Sequence, residues 1–442
     1  MSKTFCPIPW NFQAIRNNGD IRICCQANVT KNQGVVRHKD GTPYNAGKHS
    51  MKQARNADLM KAVRKNMLEG KWSDECTRCK QEEDVGLNSR RQYELQTWKE
   101  FDIRQAQVLT SEDGTIDTSN SPVVYYDLRF GNLCNLQCRM CGPTDSHSWY
   151  EQWTDYHKED GFQDTHGYVK LERNAKGRLD TDDYSWHGST SFWNNIEKNL
   201  DNIRHVYMAG GEPMMIERHY EFLEKCVKKG VAKNILIEYN TNMTALPDRV
   251  LEYWKHFKEV RVGASIDGMG KVLEYQRYPI KWEQAKKNLD KLDKFCQENS
   301  NVMAWIAYTV TVNNIWHLPE FMLWKVNASG WKKINSTLKR PVITHHVAHG
   351  PRRANIRLLP EDMKDELELF YTGWKKIFEG EFTDLQTEKA CKILDSVLQY
   401  CKSEDYSDAL PEFKKFTKYL DISRNQSILD VAPRYKRLFD ND

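Results

Sequence analysis

The stretch "GNLCNLQCRMCGP", residues 131–143, decides how the rest of the chain is interpreted. Its three cysteines, Cys134, Cys138 and Cys141, have the spacing C-x3-C-x2-C between two glycines. Closely spaced thiolates bind soft or borderline metals, namely zinc, copper(I) or iron–sulfur clusters. A structural zinc site needs four ligands, and no fourth cysteine lies nearby, although His147 does. Three thiolates on a cubane cluster would leave one iron open to a further ligand.

Strand-like and helical segments alternate on either side of the cysteines. The strand-like run 123–130 leads straight into them, and later runs alternate with helical segments as far as residue 350. The predicted strands are 123–130, 203–209, 235–243, 260–268, 302–314 and 340–350, and the predicted helices are 144–154, 216–227, 247–258, 281–298 and 317–328. This alternation predicts an α/β fold of parallel βα units, a partial (β/α)6 TIM-like barrel. Functional groups of such a barrel lie at the carboxyl ends of its strands.

Three further motifs follow predicted strands directly. They are Gly210-Gly211-Glu212-Pro213 after the second strand, Asn240 and Asn242 at the third, and Ser265 and Asp267 at the fourth, with Arg277 downstream. Taken singly, each could be an ordinary strand-to-helix turn. Their order and their shared position after strands indicate one common site.

Together with the cysteine spacing, these motifs resemble the radical S-adenosylmethionine (SAM) superfamily over roughly residues 123–350. Met140 stands where an aromatic residue is commoner in that family. The resemblance implies a [4Fe–4S] cluster on Cys134, Cys138 and Cys141, whose open iron binds SAM. It also implies SAM contacts through the GGEP turn, through a ribose-binding asparagine, and through a group around the SAM carboxylate. The implied SAM-binding residues are Gly210, Gly211, Glu212, Asn240, Asn242, Ser265, Asp267 and Arg277.

A second set of cysteines lies near the N-terminus: Cys6, Cys24, Cys76 and Cys79. Four thiolates could form a zinc site or hold a cluster. The pattern resembles the twitch/SPASM auxiliary module, and its short, one-cluster twitch form, which implies an auxiliary [4Fe–4S] cluster. That module usually follows the barrel, whereas here it precedes it. Cys25 is an alternative to Cys24; in a strand the two point to opposite faces, and the spacing from Gly19 favours Cys24.

The expected domains are a small Cys-rich, twitch-like iron–sulfur domain at 1–110, a linker at 111–122, a radical SAM partial barrel at 123–355 and a helical C-terminal region at 356–442. The stretch 155–190 is long and polar, and we expect an insertion or lid there. Cys391 and Cys401 lie on C-terminal helices. A core position is the simpler interpretation of both, and the alternative is that one serves as a thiol hydrogen donor.

The composition is that of a globular protein, with 39% hydrophobic and 29% charged residues. The N-terminus has no signal-peptide pattern and no long apolar run is present, so we expect a cytoplasmic protein without a membrane span. Residues 1–100 carry 18 Lys and Arg against 11 Asp and Glu. This excess is small, and no nucleic-acid-binding motif accompanies it, so no nucleic acid is expected as a partner.

By resemblance, we expect an enzyme that cleaves SAM reductively to a 5′-deoxyadenosyl radical, which abstracts hydrogen from a substrate. Relatives with auxiliary modules often modify peptides, so we expect a ribosomally made peptide that undergoes epimerisation, cross-linking or oxidation. A flavodoxin- or ferredoxin-type electron donor is implied. The alternatives are a small-molecule or cofactor-precursor substrate, and a non-catalytic iron–sulfur redox or binding protein. The intact set of SAM motifs speaks against the last of these.

Overall fold

The structure is a computed structural model, and it describes residues 3–27, 32–84, 86, 88–158, 169, 171–181 and 183–440. The chain divides into two compact units. The first unit comprises Met1–Leu133, Asp180–Tyr239 and His256–Glu259, and the second comprises Cys134–Leu179, Asn240–Lys255 and Val260–Asp442.

The strands are β1 (Phe12–Ile15), β2 (Ile21–Arg22), β3 (Tyr125–Phe130), β4 (Glu172–Arg173), β5 (Leu179–Asp180), β6 (His205–Gly210), β7 (Leu236–Thr241), β8 (Glu259–Ser265), β9 (Val302–Val310) and β10 (Thr344–Val347). In the first unit the strands are ordered β7-β6-β3-β1-β2, and every neighbouring pair is parallel except β1 with β2. In the second unit β9 pairs in parallel with β8 and with β10. β4 and β5 form a separate two-stranded sheet.

The α-helices are α1 (Ile8–Asn11), α2 (Met51–Ala54), α3 (Asp58–Leu68), α4 (Thr77–Asp84), α5 (Arg90–Thr97), α6 (Ile103–Leu109), α7 (Tyr150–Tyr156), α8 (Thr190–Lys198), α9 (Glu217–Lys228), α10 (Asp248–Trp254), α11 (Gly270–Gln276), α12 (Trp282–Glu298), α13 (Leu318–Asn327), α14 (Glu361–Glu381), α15 (Asp384–Lys402), α16 (Leu410–Arg424) and α17 (Lys436–Phe439). The long ones are amphipathic. On α12, for example, Ala285, Leu289 and Leu292 recur at helical spacing and are fully buried.

The α/β class and the mostly parallel pairing predicted from the alternation are confirmed, and they are consistent with a partial barrel. All six predicted strands are present, as β3 and β6 to β10. Residues 356–442 are largely helical, as expected, whereas α11 was not predicted. Part of the insertion expected at 155–190 lies outside the described residues, at 159–168, 170 and 182. In the part of the chain that the structure describes, no helix has both the length and the apolar character needed to cross a bilayer.

The predicted linker 111–122 is hydrogen-bonded to Arg55, directly after α2, and to Arg64 on α3. Arg55 donates to the carbonyl of Ser121 at 2.6 Å, and Arg64 donates to the carbonyl of Gly114 at 2.8 Å. Ser121 is itself buried. The N-terminal segment also joins the barrel-type sheet, because β1 pairs with β3 from Phe12 opposite Tyr125 onward. The first segment of the first compact unit therefore ends at Leu133. The sequence instead predicts a domain boundary within the polar stretch 111–122.

Candidate functional site

The loop that begins at Cys134 is fastened by the residues that precede α7. Ser146 donates through Oγ to the carbonyl of Leu136 at 2.6 Å, and Ser148 donates to the carbonyl of Cys134 at 2.7 Å. The amide of Cys134 donates to Nδ1 of His147 at 3.2 Å. This bond gives His147 a structural task in the loop and occupies one of the two ring nitrogens that could have served as a fourth metal ligand.

The other end of the loop is held by Arg139, whose side chain is buried. Its Nε donates to the carbonyl of Tyr275 at 3.0 Å, and its guanidinium lies 3.5 Å from the centre of the Tyr275 ring. A second nitrogen donates to Asp421 on α16 at 2.7 Å and to Gln426 at 3.2 Å. The amide of Arg139 donates to the carbonyl of Gln276 at 2.9 Å. No local sequence pattern indicates this contact, because 282 residues separate Arg139 from Asp421.

Buried aromatic side chains pack beside Cys141, the third cysteine of the loop. Cys141 packs against a buried cluster of Trp149 and Trp153 with Phe416 and Leu420 of α16. The rings of Trp149 and Phe416 are stacked with their centres 5.9 Å apart. Cys134 and Cys138 are buried, and Cys141 is half-buried. The three thiols therefore lie largely away from water.

Arg277 connects the predicted carboxylate-binding group to the cysteine loop. One guanidinium nitrogen lies 3.9 Å from Sγ of Cys138, and Nε donates to Oδ2 of Asp267 at 2.6 Å. Oδ1 of Asp267 accepts the amide of Thr309 at 2.8 Å, which fixes the carboxylate. Burial alone would lower the pKa of Arg277, but the charges of Asp267 and Cys138 outweigh burial and raise that pKa above its usual value. Arg277 is thus a permanent cation beside the cysteines.

Charge and hydrogen bonding also act on the thiols of the loop. A hydrogen bond from Cys141 lowers the pKa of Cys138, against the opposing effect of burial, and the charge of Arg277 lowers it too. The amide nitrogen Nδ2 of Asn242 lies 3.8 Å from Sγ of Cys134. Two of the three sulfurs therefore face a nitrogen donor, an arrangement that stabilises thiolates.

The structure separates the two predicted asparagines. Asn242 is buried, and its Oδ1 accepts the amide of Thr244 at 2.9 Å. Asn240 is exposed. Ser265 is half-buried at the end of β8. Among the predicted SAM-binding residues of the second unit, the structure thus brings Asn242 and Arg277 to the cysteine loop and uses Asp267 to position Arg277.

In the first unit, the Gly-Gly-Glu-Pro turn docks against the end of the segment that leads to the cysteines. The amide of Gly211 donates to the carbonyl of Gly131 at 3.0 Å, and that of Glu212 donates to the carbonyl of Leu133 at 2.8 Å. A Cβ atom at Gly211 would lie 2.3 Å from the Leu133 oxygen, so only glycine fits. Glu212 is buried, and its Oε1 accepts the amide of Met214 at 3.0 Å.

The four N-terminal cysteines converge in the first unit. Cys6, Cys24, Cys76 and Cys79 all line one small cavity of about 30 Å³. Trp72, Arg90 and Arg91 contribute to the same wall. Cys25 is not among the described residues that line it, and the choice between Cys24 and Cys25 as a ligand stays a prediction. Burial, together with the neighbouring Cys79, raises the pKa of Cys76 to about 12.

Both donor sets are made of cysteine thiols. In the described ranges, no group of three or more His, Cys, Asp or Glu side chains is arranged to hold a metal ion. A cluster distributes its thiolates over several irons, so its ligands need not converge on one point. Both sets consist of thiols alone, which suits iron–sulfur chemistry. The three-cysteine loop and the four-cysteine cavity are therefore compatible with [4Fe–4S] clusters.

The two cysteines considered as hydrogen donors lie on α15. Cys401 is fully buried and donates through Sγ to the carbonyl of Ile356 at 3.2 Å. Cys391 is half-buried. These surroundings suit the core interpretation, and a donor role remains a prediction.

A groove of about 880 Å³ opens at the amino ends of β3, β6 and β7 in the first unit. Trp98, Phe101 and Leu109 line it, together with Arg204 at the start of β6. None of the residues predicted to bind metal or SAM is among the described residues that line it. Because the Gly-Gly-Glu-Pro turn follows the other end of β6, this groove is separate from that motif.

Comparison with known proteins identifies the class of domain. The model of the Radical SAM superfamily matches residues 128–322, a segment that contains the three-cysteine loop, the GGEP turn, Asn242 and Arg277. This match agrees with the resemblance on which the sequence analysis is based. A search of curated proteins finds no match.

Similar solved structures include native anSMEcpe with bound AdoMet and Cp18Cys peptide, at 16% identity and a TM-score of 0.33, covering 58% of this chain and 61% of that one. Another is Streptococcus suis SuiB bound to precursor peptide SuiA, at 12% identity and a TM-score of 0.30, covering 69% and 68%. The aligned part thus spans about three-fifths of the anSMEcpe chain.

Proposed function

We propose that this protein is a radical SAM enzyme. The observation that carries the proposal is the loop with Cys134, Cys138 and Cys141, buried or half-buried within a segment that matches the Radical SAM superfamily. Arg277 and Asn242 place nitrogen donors beside two of its sulfurs. A non-catalytic iron–sulfur protein would have no need of the GGEP turn and the Arg277–Asp267 pair in the same domain.

The three cysteines would hold a [4Fe–4S] cluster with one iron left for SAM. When bound, this cluster supplies the electron that cleaves SAM to methionine and a 5′-deoxyadenosyl radical. The chain's own residues bind, orient and exclude water. Ser146, His147 and Ser148 hold the loop in shape, and the wall of Trp149 and Trp153 keeps bulk water from Cys141.

Arg277 is placed to pair with the SAM carboxylate while Asp267 fixes its orientation. Guanidinium groups bind carboxylates with two parallel hydrogen bonds, and the Asp267 contact uses Nε, which leaves other nitrogens to donate. Glu212 is buried and already accepts an amide hydrogen, so we assign contact with the SAM ammonium to backbone carbonyls of the Gly210–Glu212 turn. Asn240 and Ser265 complete the predicted set as SAM contacts.

We further propose an auxiliary [4Fe–4S] cluster on Cys6, Cys24, Cys76 and Cys79, in a twitch-like module. The cavity that the four cysteines share supports this assignment. Arg90 and Arg91 beside the cavity would offset the negative charge that four thiolates bring.

The proposed substrate is a ribosomally made peptide, from which the radical abstracts hydrogen on the way to epimerisation, cross-linking or oxidation. The basic excess of residues 1–100 and the polar insertion after residue 155 support a surface for an extended chain. A flavodoxin- or ferredoxin-type protein would supply the electron.

The first experiment is anaerobic reconstitution, followed by mass-spectrometric detection of 5′-deoxyadenosine from SAM with dithionite as reductant. Wild type is compared with the triple variant Cys134→Ala, Cys138→Ala and Cys141→Ala. A matched control replaces Cys226 and Cys296, which are buried on α9 and α12, by Ala.

We expect 5′-deoxyadenosine from wild type and from the control, and none from the triple variant. Wild type with a full iron complement that forms no 5′-deoxyadenosine, with or without added peptide, would contradict the proposal. Equal product from wild type and the triple variant would place the reactive cluster elsewhere.

A further inference from the structure

Arg424, the last residue of α16, is a buried cation that the proposed mechanism does not use. Only 7% of the residue is exposed. Its Nη2 and Nε donate to Oε1 of Gln152 at 2.7 Å and 3.2 Å. Its Nη1 is buried and has no hydrogen-bond partner in the described part of the chain. Burying a charged group that is incompletely paired costs free energy, so packing alone is a poor explanation of this residue.

Two aromatic rings connect Arg424 to the three-cysteine loop. Its guanidinium carbon lies 4.7 Å from the centre of the Trp149 ring and 4.7 Å from that of the Tyr278 ring. The carbonyl of Tyr278 accepts the amide of Gln137, which belongs to the loop, at 2.6 Å. Trp149 belongs to the buried cluster against which Cys141 packs. The guanidinium is therefore held beside the loop by rings that shield it from water.

No carboxylate pairs with Arg424 within the described ranges. Three other buried arginines of the second unit each form an ion pair with a carboxylate. They are Arg139 with Asp421 at 2.7 Å, Arg277 with Asp267 at 2.6 Å, and Arg353 with Glu412 at 3.2 Å. By contrast, the side-chain partner of Arg424 is the neutral amide of Gln152. Arg424 is thus the member of this group whose positive charge has no carboxylate beside it.

The charge of Arg424 and the thiols of the loop act on each other. Burial and the neighbouring Arg139 lower the pKa of Arg424 to about 9, and the charge of Cys138 is the strongest influence that raises it. Arg424 therefore stays protonated at neutral pH. Cys138, whose pKa is lowered chiefly by its hydrogen bond from Cys141, is also stabilised as a thiolate by Arg424.

This charge bears on how readily the loop accepts an electron. A buried cation stabilises negative charge added in its surroundings, because the protein interior screens it less than water does. Reduction of a [4Fe–4S] cluster adds one negative charge, and the reduction potential depends on nearby charge and on solvent exposure. Two opposite charges about 10 Å apart, at an effective dielectric constant of about 20, attract each other strongly enough to change an equilibrium constant about tenfold.

We propose that Arg424 raises the reduction potential of the [4Fe–4S] cluster on Cys134, Cys138 and Cys141, and so favours its reduction by the electron donor. One electron passes from the donor to the cluster, and no bond is formed or broken. Arg424 acts through its charge and has no part in binding SAM. The inference rests on the proposed function only in that the cluster must be present, and it does not depend on the substrate.

The test measures the reduction potential of the reconstituted full-length protein in the absence of SAM. The protein is poised with dithionite and redox mediators, and the reduced cluster is followed by electron paramagnetic resonance. The signal that belongs to the three-cysteine loop is the one that disappears in the triple variant Cys134→Ala, Cys138→Ala and Cys141→Ala.

Two variants remove the effect of the charge in different ways. Arg424→Gln removes the charge and keeps a side chain that can donate to Gln152. Gln152→Glu leaves Arg424 in place and gives it a carboxylate partner. Two controls leave the buried charge intact: Arg424→Lys, and Lys392→Gln on the exposed surface of α15, where Lys392 pairs with Glu388 at 2.6 Å.

We expect Arg424→Gln to lower the reduction potential by the equivalent of about tenfold in the reduction equilibrium, which is about 59 mV for a one-electron step. Gln152→Glu should lower the potential too, without lowering the melting temperature of the metal-free protein, because it supplies a partner to a buried charge. A fall in potential without a loss of stability separates the effect of charge from structural damage. Arg424→Lys and Lys392→Gln should stay within about twofold of wild type in the same equilibrium.

Unchanged potentials in Arg424→Gln and Gln152→Glu would overturn the inference, and so would an equal fall in Lys392→Gln. If Arg424→Gln does not fold, Gln152→Glu decides the question alone. If wild type takes up no cluster on the three-cysteine loop, the proposed function fails and this inference fails with it. If wild type takes up the cluster and all variants share its potential, only the role of Arg424 is refuted.

Discussion

Replacing Arg139 by Met is expected to loosen the cysteine loop in the metal-free protein. The guanidinium donates to Asp421 at 2.7 Å, to the carbonyl of Tyr275 at 3.0 Å and to Gln426 at 3.2 Å. Methionine has similar length and keeps the apolar contact with the Tyr275 ring, but it supplies none of these hydrogen bonds. The loop would then be held mainly by the residues before α7.

The magnitude follows from burial of the pair. The side chains of Arg139 and Asp421 are 2% and 15% exposed, so removing one partner leaves a poorly solvated charge. Breaking a buried pair in this way costs about 3 kcal/mol, which corresponds to about a hundredfold in the opening equilibrium of the loop. Asp421 keeps the amide of Ile428 as a donor at 2.7 Å, which favours the lower end of the usual range.

The assay is amide hydrogen exchange on the reduced, metal-free full-length protein, read on peptides that span residues 134–141. The amides of Gln137 and Arg139 donate to the carbonyls of Tyr278 and Gln276, so their exchange reports opening of the loop. The control is Arg173→Met, because Arg173 pairs with Glu151 at the surface, where both side chains are more than half exposed. We expect Arg173→Met to lower the free energy of unfolding by less than about 1 kcal/mol.

The double variant Arg139→Met, Asp421→Leu should recover much of the protection, because no unpaired charge remains. Iron content after reconstitution should follow the same order as the exchange data. If Arg139→Met exchanges no faster than Arg173→Met in residues 134–141, the loop does not depend on α16, and the reasoning fails.

Three further changes test other parts of the structure. Gly211→Ala should destabilise the protein by more than about 3 kcal/mol in thermal unfolding, because the new methyl group would lie 2.3 Å from the oxygen of Leu133. The control Gly373→Ala places its methyl group in open space on α14 and should stabilise the protein by about 1 kcal/mol. Equal melting temperatures of the two variants would contradict this prediction. Lys325→Met should raise the free energy of unfolding at pH 7 by about 3 kcal/mol, since burial lowers the pKa of Lys325 to about 8. In wild type the unfolded chain keeps a proton that the folded chain loses between about pH 8 and 10.5, so stability should rise with pH across that window; a parallel rise in Lys325→Met would argue against this origin. The third change replaces the four N-terminal cysteines, Cys6, Cys24, Cys76 and Cys79, by alanine. It should lower the iron content by about four atoms per chain and leave the cluster of the three-cysteine loop intact. An unchanged iron content would exclude the auxiliary cluster.

Much of the candidate site could be predicted because its signals are local. The spacing of Cys134, Cys138 and Cys141 lies within eight residues, and each accompanying motif follows its own strand. The alternation of β-branched and aromatic runs with helical segments was enough for the α/β class and for all six barrel-type strands. Such local patterns are informative because the spacing of buried residues, every second residue in a strand and about every 3.6 residues in a helix, is a property of each element by itself.

Other features could not be predicted because they depend on which distant segments meet. Nothing in the residues around Arg139 indicates that its partner is Asp421, which lies 282 positions away. The pairing of β1 with β3 likewise depends on sheet order, and it changes how the N-terminal segment divides from the barrel. The sequence places Asp267 in the predicted group around the SAM carboxylate, but only the structure shows that its carboxylate accepts from Arg277 and from the amide of Thr309.

By itself, the sequence determined the kind of chemistry: three thiols in one short loop and four more near the N-terminus. These are properties of residue type and spacing, which hold in any fold that the chain adopts. Only the tertiary structure decided the surroundings of those thiols and which polar side chains are neighbours on the sheet. Asp127, Tyr207 and Glu238 are far apart in the chain, and strand register alone makes them neighbours. Burial and charge act through space, so the strength and direction of their effects depend on the folded arrangement.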